Sequence, residues 1–227
     1  MTPLFFKYES ENNVFLLNLP PVSVVCHKNN KGGYMNHNSS QLILPGCAHW
    51  SRTSAETPMT VESSGIINGR IEDRFGKRGS SFHQGMPTYS LPLSIQNMPE
   101  GTRCFTLILA DYDAIPVCGF AWIHWIAANI KFSELPENAS EEYAVDLVQG
   151  VNSWASPLLK EKALPPEKAS CYGGMVPPDR AHKYYLTVYA LDQVLNLENG
   201  FYLNQMLDGM NGHILAAASL CGVYFAD

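Results

Sequence analysis

The amino-acid sequence predicts a mostly β fold with few helices. Three observations carry the prediction. The runs Cys104 to Ala110, Ala121 to Ile130 and Tyr184 to Leu191 are apolar and rich in β-branched or aromatic residues, as buried strands are. Connections marked by Pro157, Pro165, Pro166, Pro177 and Pro178 separate the elements. One stretch, Gly200 to about Met210, has helical spacing: Tyr202, Met206, Leu207 and Met210 recur at i, i+4, i+5 and i+8.

Taken in order, the first 58 residues differ in texture from the rest. They hold seven Asn, few periodic apolar stretches and turn formers such as Lys31-Gly32-Gly33. Two readings stand for residues 1–58: a loosely ordered extension, or translated leader upstream of a start at Met59. From Met59-Thr60-Val61 the chain alternates, and residues 59–227 form one domain of ordinary size. The run from Cys104 is apolar on both faces, as a central strand requires. The segment from His213 to Phe225 fits helix or strand, and its end, Val223-Tyr224-Phe225, favours a final strand.

Composition excludes several classes. A net charge of -6 and 16% charged residues leave no Lys/Arg cluster of the kind nucleic acid requires. No apolar run approaches the roughly 20 residues that span a bilayer. No export signal is legible, because Glu9, Glu11, Asn12 and Asn13 precede the first apolar stretch. The six cysteines form no CxxC pair. That pattern reads as reduced thiols and a cytoplasmic location.

Three clusters have the residue types for chemistry. In Ala110-Asp111-Tyr112-Asp113-Ala114-Ile115-Pro116, two carboxylates follow a strand. They enter a site at the sheet's end, or they cap the turn as Asx-turns do. In Trp122-Ile123-His124-Trp125, strand alternation puts Trp122 and His124 on one face, roughly 6.5 Å apart. The plainer alternative is a core histidine satisfied by a carbonyl. In Tyr172-Gly173-Gly174 through Pro177-Pro178 to His182-Lys183-Tyr184, a shaped loop delivers His182 and Tyr184 to one face. Its glycines would leave backbone N–H groups free for a ligand. The alternative there is a surface turn before a half-buried strand. His213 reads as a satisfied core histidine. His27, His37, His49 and His83 read as surface residues.

These clusters, in this order, resemble the phosphatidylethanolamine-binding protein (Raf kinase inhibitor-like) family in its bacterial branch. Ser90-Leu91-Pro92-Leu93-Ser94, Met98-Pro99-Glu100-Gly101-Thr102, Tyr189-Ala190-Leu191 and Gly212-His213-Ile214-Leu215-Ala216 extend the likeness over about 165 residues. The chain departs from the family pattern at Tyr112, at Ile115 before Pro116, at Met175 and at Lys183. These departures affect the rim of the pocket. The resemblance does not reach residues 1–58.

The resemblance implies a large antiparallel sheet packed on a smaller sheet, with a few short helices. It implies a small pocket for phosphate, carboxylate or a phospholipid head group. Its walls would be Asp111, Trp122, His124, Pro177, Pro178, His182 and Tyr184, with Asp113 and Gly174 in support. His124 and His182 would each donate an N–H, and Asp111 would orient one imidazole. No cofactor or metal is expected. A two-histidine, one-carboxylate metal site is an alternative. So is an acid–base enzyme acting on a phosphoester, although no GxSxG or other nucleophile motif occurs. The leading expectation is a binding module that is not an enzyme, able to modulate a protein partner. The family also implies a possible homodimer.

Overall fold

A computed structural model of the protein describes residues 58–227. The two readings of residues 1–58 therefore fall outside the described residues, Pro58 apart. Twelve strands follow one another: β1 (Thr60–Glu62), β2 (Ile66–Ile67), β3 (Arg70–Ile71), β4 (Phe82–His83), β5 (Met86–Pro87), β6 (Leu93–Gln96), β7 (Cys104–Asp111), β8 (Trp122–Ile130), β9 (Glu134–Leu135), β10 (Val148–Gln149), β11 (His182–Leu191) and β12 (Ile214–Tyr224). Three short α-helices interrupt them: α1 (Ile115–Cys118), α2 (Ala139–Glu142) and α3 (Leu203–Met210).

The main sheet has seven strands in the order β10-β8-β7-β11-β12-β3-β2, and a smaller one has the order β1-β6-β9. Pairing is antiparallel except for β12 with β3. β7 lies between β8 and β11, and all eight of its residues are buried. Its alternate side chains explain why. Phe105, Leu107 and Leu109 share a core with Val61, Leu93, Ile95 and Leu135 of the small sheet. Cys104, Ile108 and Ala110 pack on the opposite side with Leu195, Phe201, Met206 and Met210. A strand covered on both faces is apolar nearly throughout, as β7 is apart from Thr106 and the terminal Asp111.

Two expected boundaries shift. The helix expected from Gly200 begins at Leu203. The Gly200 N–H and the Phe201 carbonyl are instead bonded to Gln149 and Val151, in and just beyond β10, and Gln205 Oε1 closes the helix start on the Tyr202 N–H at 2.7 Å. The ambiguous segment after His213 is strand along its length. Leu215-Ala216-Ala217-Ala218 has helical propensity, yet its ladder with β11 decides. α1 and α2 are too short for a helical period to show in the sequence.

Candidate functional site

The site forms where three neighbouring strands of the main sheet come together at one end. β7 ends at Asp111, and β8 and β11 begin beside it. Asp111 lies directly across from Trp122 on one side and Tyr184 on the other. Directly opposed residues share a face. A register irregularity intervenes: Leu109 pairs with Trp125, and Ala110 pairs with Ile123. His124 is the extra residue, so it sits on a β-bulge, a device that re-aims a side chain. Trp122 and His124 both line the cavity, as alternation predicts. Trp125 should by the same rule face away. The bulge turns it instead into the core shared with Leu109 and Tyr184.

The cavity measures about 210 Å³. That is below the roughly 300–1,000 Å³ usual for drug-sized ligands. Asp111, Trp122, His124, Gly174, Pro178, His182 and Tyr184 line it, together with apolar wall from Ala114, Val117, Leu159 and Val176. Asp113 and Pro177 are not among the lining residues. Asp113 accepts from Arg180 Nη2 at 2.9 Å and from the Lys183 N–H at 2.9 Å. It thereby ties the Asp111 turn to the loop that carries His182.

Asp111 is 4% exposed. Its Oδ1 accepts the Ala114 N–H at 3.1 Å, and its Oδ2 accepts His182 Nδ1–H at 2.7 Å. Asp111 therefore caps the turn with one oxygen and holds His182 with the other. His182 Nε2 donates to Asp179 Oδ1 at 2.8 Å. Burial alone would lower the pKa of this imidazole, but its hydrogen bonds to Asp111 and Asp179 outweigh that and hold it above the ordinary range. Both nitrogens donate, as only the imidazolium can.

His124 differs. Its Nδ1 donates to the Gly173 carbonyl at 2.6 Å. Burial holds its pKa below the ordinary histidine value, against hydrogen bonds to Gly173 and Gly174 and the charge of Asp111, which favours the neutral ring with its proton on Nδ1 and a lone pair at Nε2. The expectation that both histidines offer an N–H is thus corrected: His182 has spent both on carboxylates, and His124 presents an acceptor. The glycine loop is corrected too. The Gly173 N–H bonds the His124 carbonyl at 2.8 Å and the Gly174 N–H bonds the Pro87 carbonyl at 2.7 Å. Neither amide is free. These glycines serve close packing, since a Cβ on Gly174 would lie 2.5 Å from the Phe75 carbonyl oxygen.

Tyr184 stacks edge-on against His124 with ring centroids 5.1 Å apart. It is 1% exposed, and its hydroxyl has no hydrogen-bond partner among the described residues. Trp154, another lining residue, leaves Nε1–H in the same condition. Trp154, Asp179 and Cys118 are site residues that the sequence reading missed. Asp179 had a usable signal, a carboxylate three residues before His182. Trp154 stands two residues after Asn152, whose side chain caps a 3-10 turn on the Trp154 N–H. Cys118 carries no sequence motif.

The remaining histidines and thiols stand apart. The His213 side chain is 37% exposed and its Nδ1 lies 2.9 Å from Asp192 Oδ1, so it is a half-exposed, hydrogen-bonded residue and not a core one. His83 is partly buried in the β4–β5 hairpin, with Nε2 unpartnered among the described residues. His27, His37 and His49 lie outside the described residues. Burial pushes the Cys171 thiol up to about 11, which keeps it unreactive. Among the described residues, no group of three or more His, Cys, Asp or Glu side chains is placed to hold a metal ion. No helix there is long and apolar enough to cross a membrane.

Fold and cavity together define a β domain with a small, partly polar pocket at the ends of its central strands. The chain belongs to the phosphatidylethanolamine-binding protein family, whose model matches residues 61–225. Among its relatives is the uncharacterised protein YxkA of Bacillus subtilis, 46% identical over 157 residues that cover 67% of this chain and 92% of the relative. A UPF0098 protein of Chlamydia trachomatis is 36% identical over 140 residues, covering 61% of this chain and 83% of that protein. The crystal structure of the Chlamydia trachomatis homologue CT736 superposes with a TM-score of 0.60 at 33% identity, covering 75% of this chain and 99% of that one. Escherichia coli YbcL, at 24% identity and a TM-score of 0.58, covers 74% and 98% and shares the fold.

Proposed function

We propose that this domain is a binding module for small phosphate-bearing or other anionic ligands, held in the cavity between Asp111, His124 and Tyr184. One observation carries the reading. The Tyr184 hydroxyl is buried beside a cavity and has no hydrogen-bond partner among the described residues. A buried hydroxyl without a partner costs about 1–3 kcal/mol, and a ligand oxygen removes that cost. Trp154 Nε1–H is a second donor of the same kind. The apolar wall of Val117, Leu159 and Val176 suits the uncharged remainder of such a ligand. A phospholipid head group, a free phosphoester and a carboxylate all belong to the class. Capture of the ligand then biases a protein partner.

The acid–base enzyme is the weaker reading. Acid–base chemistry needs both a proton donor and a proton acceptor beside the substrate. Both His182 nitrogens are bound to carboxylates, which leaves His124 Nε2 as an acceptor without an imidazole partner to act as the acid. The test is a titration of the full chain with phosphate, acetate and phosphoethanolamine, following the His124 and His182 ring signals by NMR. Both rings should shift together and saturate in the micromolar-to-millimolar range, and Asp111→Ala should abolish the response. Rings that ignore all three ligands would contradict the proposal.

A further inference from the structure

The polar groups of the cavity are unbalanced, and the imbalance specifies the ligand further. Acceptors dominate. Asp111 lines the cavity and accepts one hydrogen bond at each oxygen. A carboxylate has about four lone-pair sites, so about two remain. In the neutral form that burial favours, His124 adds a lone pair at Nε2, because its single proton lies on Nδ1 towards Gly173. Donors are scarce. His182 has given both protons to Asp111 and Asp179. Among the described lining residues, Tyr184 and Trp154 keep unpartnered donors. The charges agree: one imidazolium stands between two carboxylates, and the Arg180 guanidinium is paired with Asp113 at 2.9 Å and lies 3.9 Å from Asp179. No uncommitted cation faces the cavity among the described residues.

We infer that the pocket selects an oxyacid that carries its own proton, one oxygen accepting from Tyr184 and a protonated oxygen donating to Asp111 or His124. This refines the anion-pocket reading and rests on it. A fully deprotonated oxyanion would set its lone pairs against those of Asp111 and His124. Each such mismatch leaves buried polar atoms unsatisfied. The phosphate monoanion, abundant at pH 6, holds two protons, and a phosphomonoester, whose second pKa lies near 6, keeps its proton in about half the molecules there. Sulfate holds none. A phosphodiester, the form found in lipid head groups, has the charge of a phosphate monoanion but no acidic proton.

The experiment compares inorganic phosphate, sulfate and dimethyl phosphate as ligands for the full chain at pH 6 and constant ionic strength, by calorimetry. Phosphate should bind roughly 100-fold more tightly than either competitor, and a preference of tenfold or more supports the inference. Sulfate separates the proton from tetrahedral shape, and dimethyl phosphate separates it from charge. Asp111→Asn, which replaces an acceptor with an amide donor, should narrow the phosphate-over-sulfate ratio at least tenfold. The wild-type comparison stands whether or not that variant folds. If sulfate or dimethyl phosphate binds within tenfold of phosphate, the inference falls and the anion pocket survives. If phosphate fails and sulfate or dimethyl phosphate binds, the inference alone falls, and if none of the three binds, both fall.

Discussion

His182 on β11 and His124 on β8 stand on the two strands that flank β7 and have pKa values shifted in opposite senses. His182 is held above the ordinary value by Asp111 and Asp179, against the effect of burial. Its stabilising contribution is therefore complete below the unfolded pKa of about 6.5 and is lost as pH rises through the raised folded value. His124 is held below the ordinary value by burial. Its contribution is complete above about pH 6.5 and is lost as pH falls towards the lowered value. Thermal unfolding of wild type and His182→Gln between pH 5 and 9 checks this. The gap in Tm should be widest near pH 6 and should narrow towards pH 9. A gap that widens with pH would contradict the assignment. The family resemblance had Asp111 orient one imidazole without saying which, and the structure pairs it with His182. The bare residue pattern favoured turn-capping, and Asp111 caps the turn with Oδ1 while Oδ2 holds His182. The destination of each imidazole proton was not legible, because it depends on Asp179 and on the Gly173 carbonyl, which chain geometry alone brings into reach.

The elements decide how firmly those side chains are held. The loop from Tyr172 to Ala181 is pinned along its course: Gly173 to His124, Gly174 to Pro87, and the Met175 carbonyl to the Lys77 N–H at 2.9 Å. Arg180 and Lys183 close it on Asp113. Gly174→Ala puts a Cβ 2.5 Å from the Phe75 carbonyl oxygen and 2.8 Å from Pro87 Cβ. Backbone must move on at least one side, at a cost of about 1–3 kcal/mol. Chemical denaturation should register that loss, with weaker phosphate binding beside it. Unchanged stability would mean that the loop is looser than described. The sequence showed that glycines shape this loop but misjudged why. Close packing and ligand approach both call for a residue without a Cβ, and the pattern does not separate them. The bulge at His124 was likewise silent, since it is a property of the pairing between β7 and β8.

At the scale of the whole molecule, a sheet buried on both faces presents three strand ends to one cavity. That frame was readable from the apolar runs, and the family match over residues 61–225 agrees with it. Binding and folding are linked, because a ligand that binds only the native state raises Tm by mass action. Tyr184 couples the two directly. Its hydroxyl is buried without a partner among the described residues, so no hydrogen bond of the fold depends on it, and on the proposed reading it serves a ligand. The decisive measurement is the Tm of wild type and Tyr184→Phe, each with and without saturating phosphate. Tyr184→Phe should unfold at the same temperature as wild type or higher without phosphate, and should show a much smaller rise on phosphate addition, with affinity reduced about tenfold. A variant that loses stability without phosphate, or keeps the full phosphate-induced rise, would contradict the pocket as a ligand site built around Tyr184.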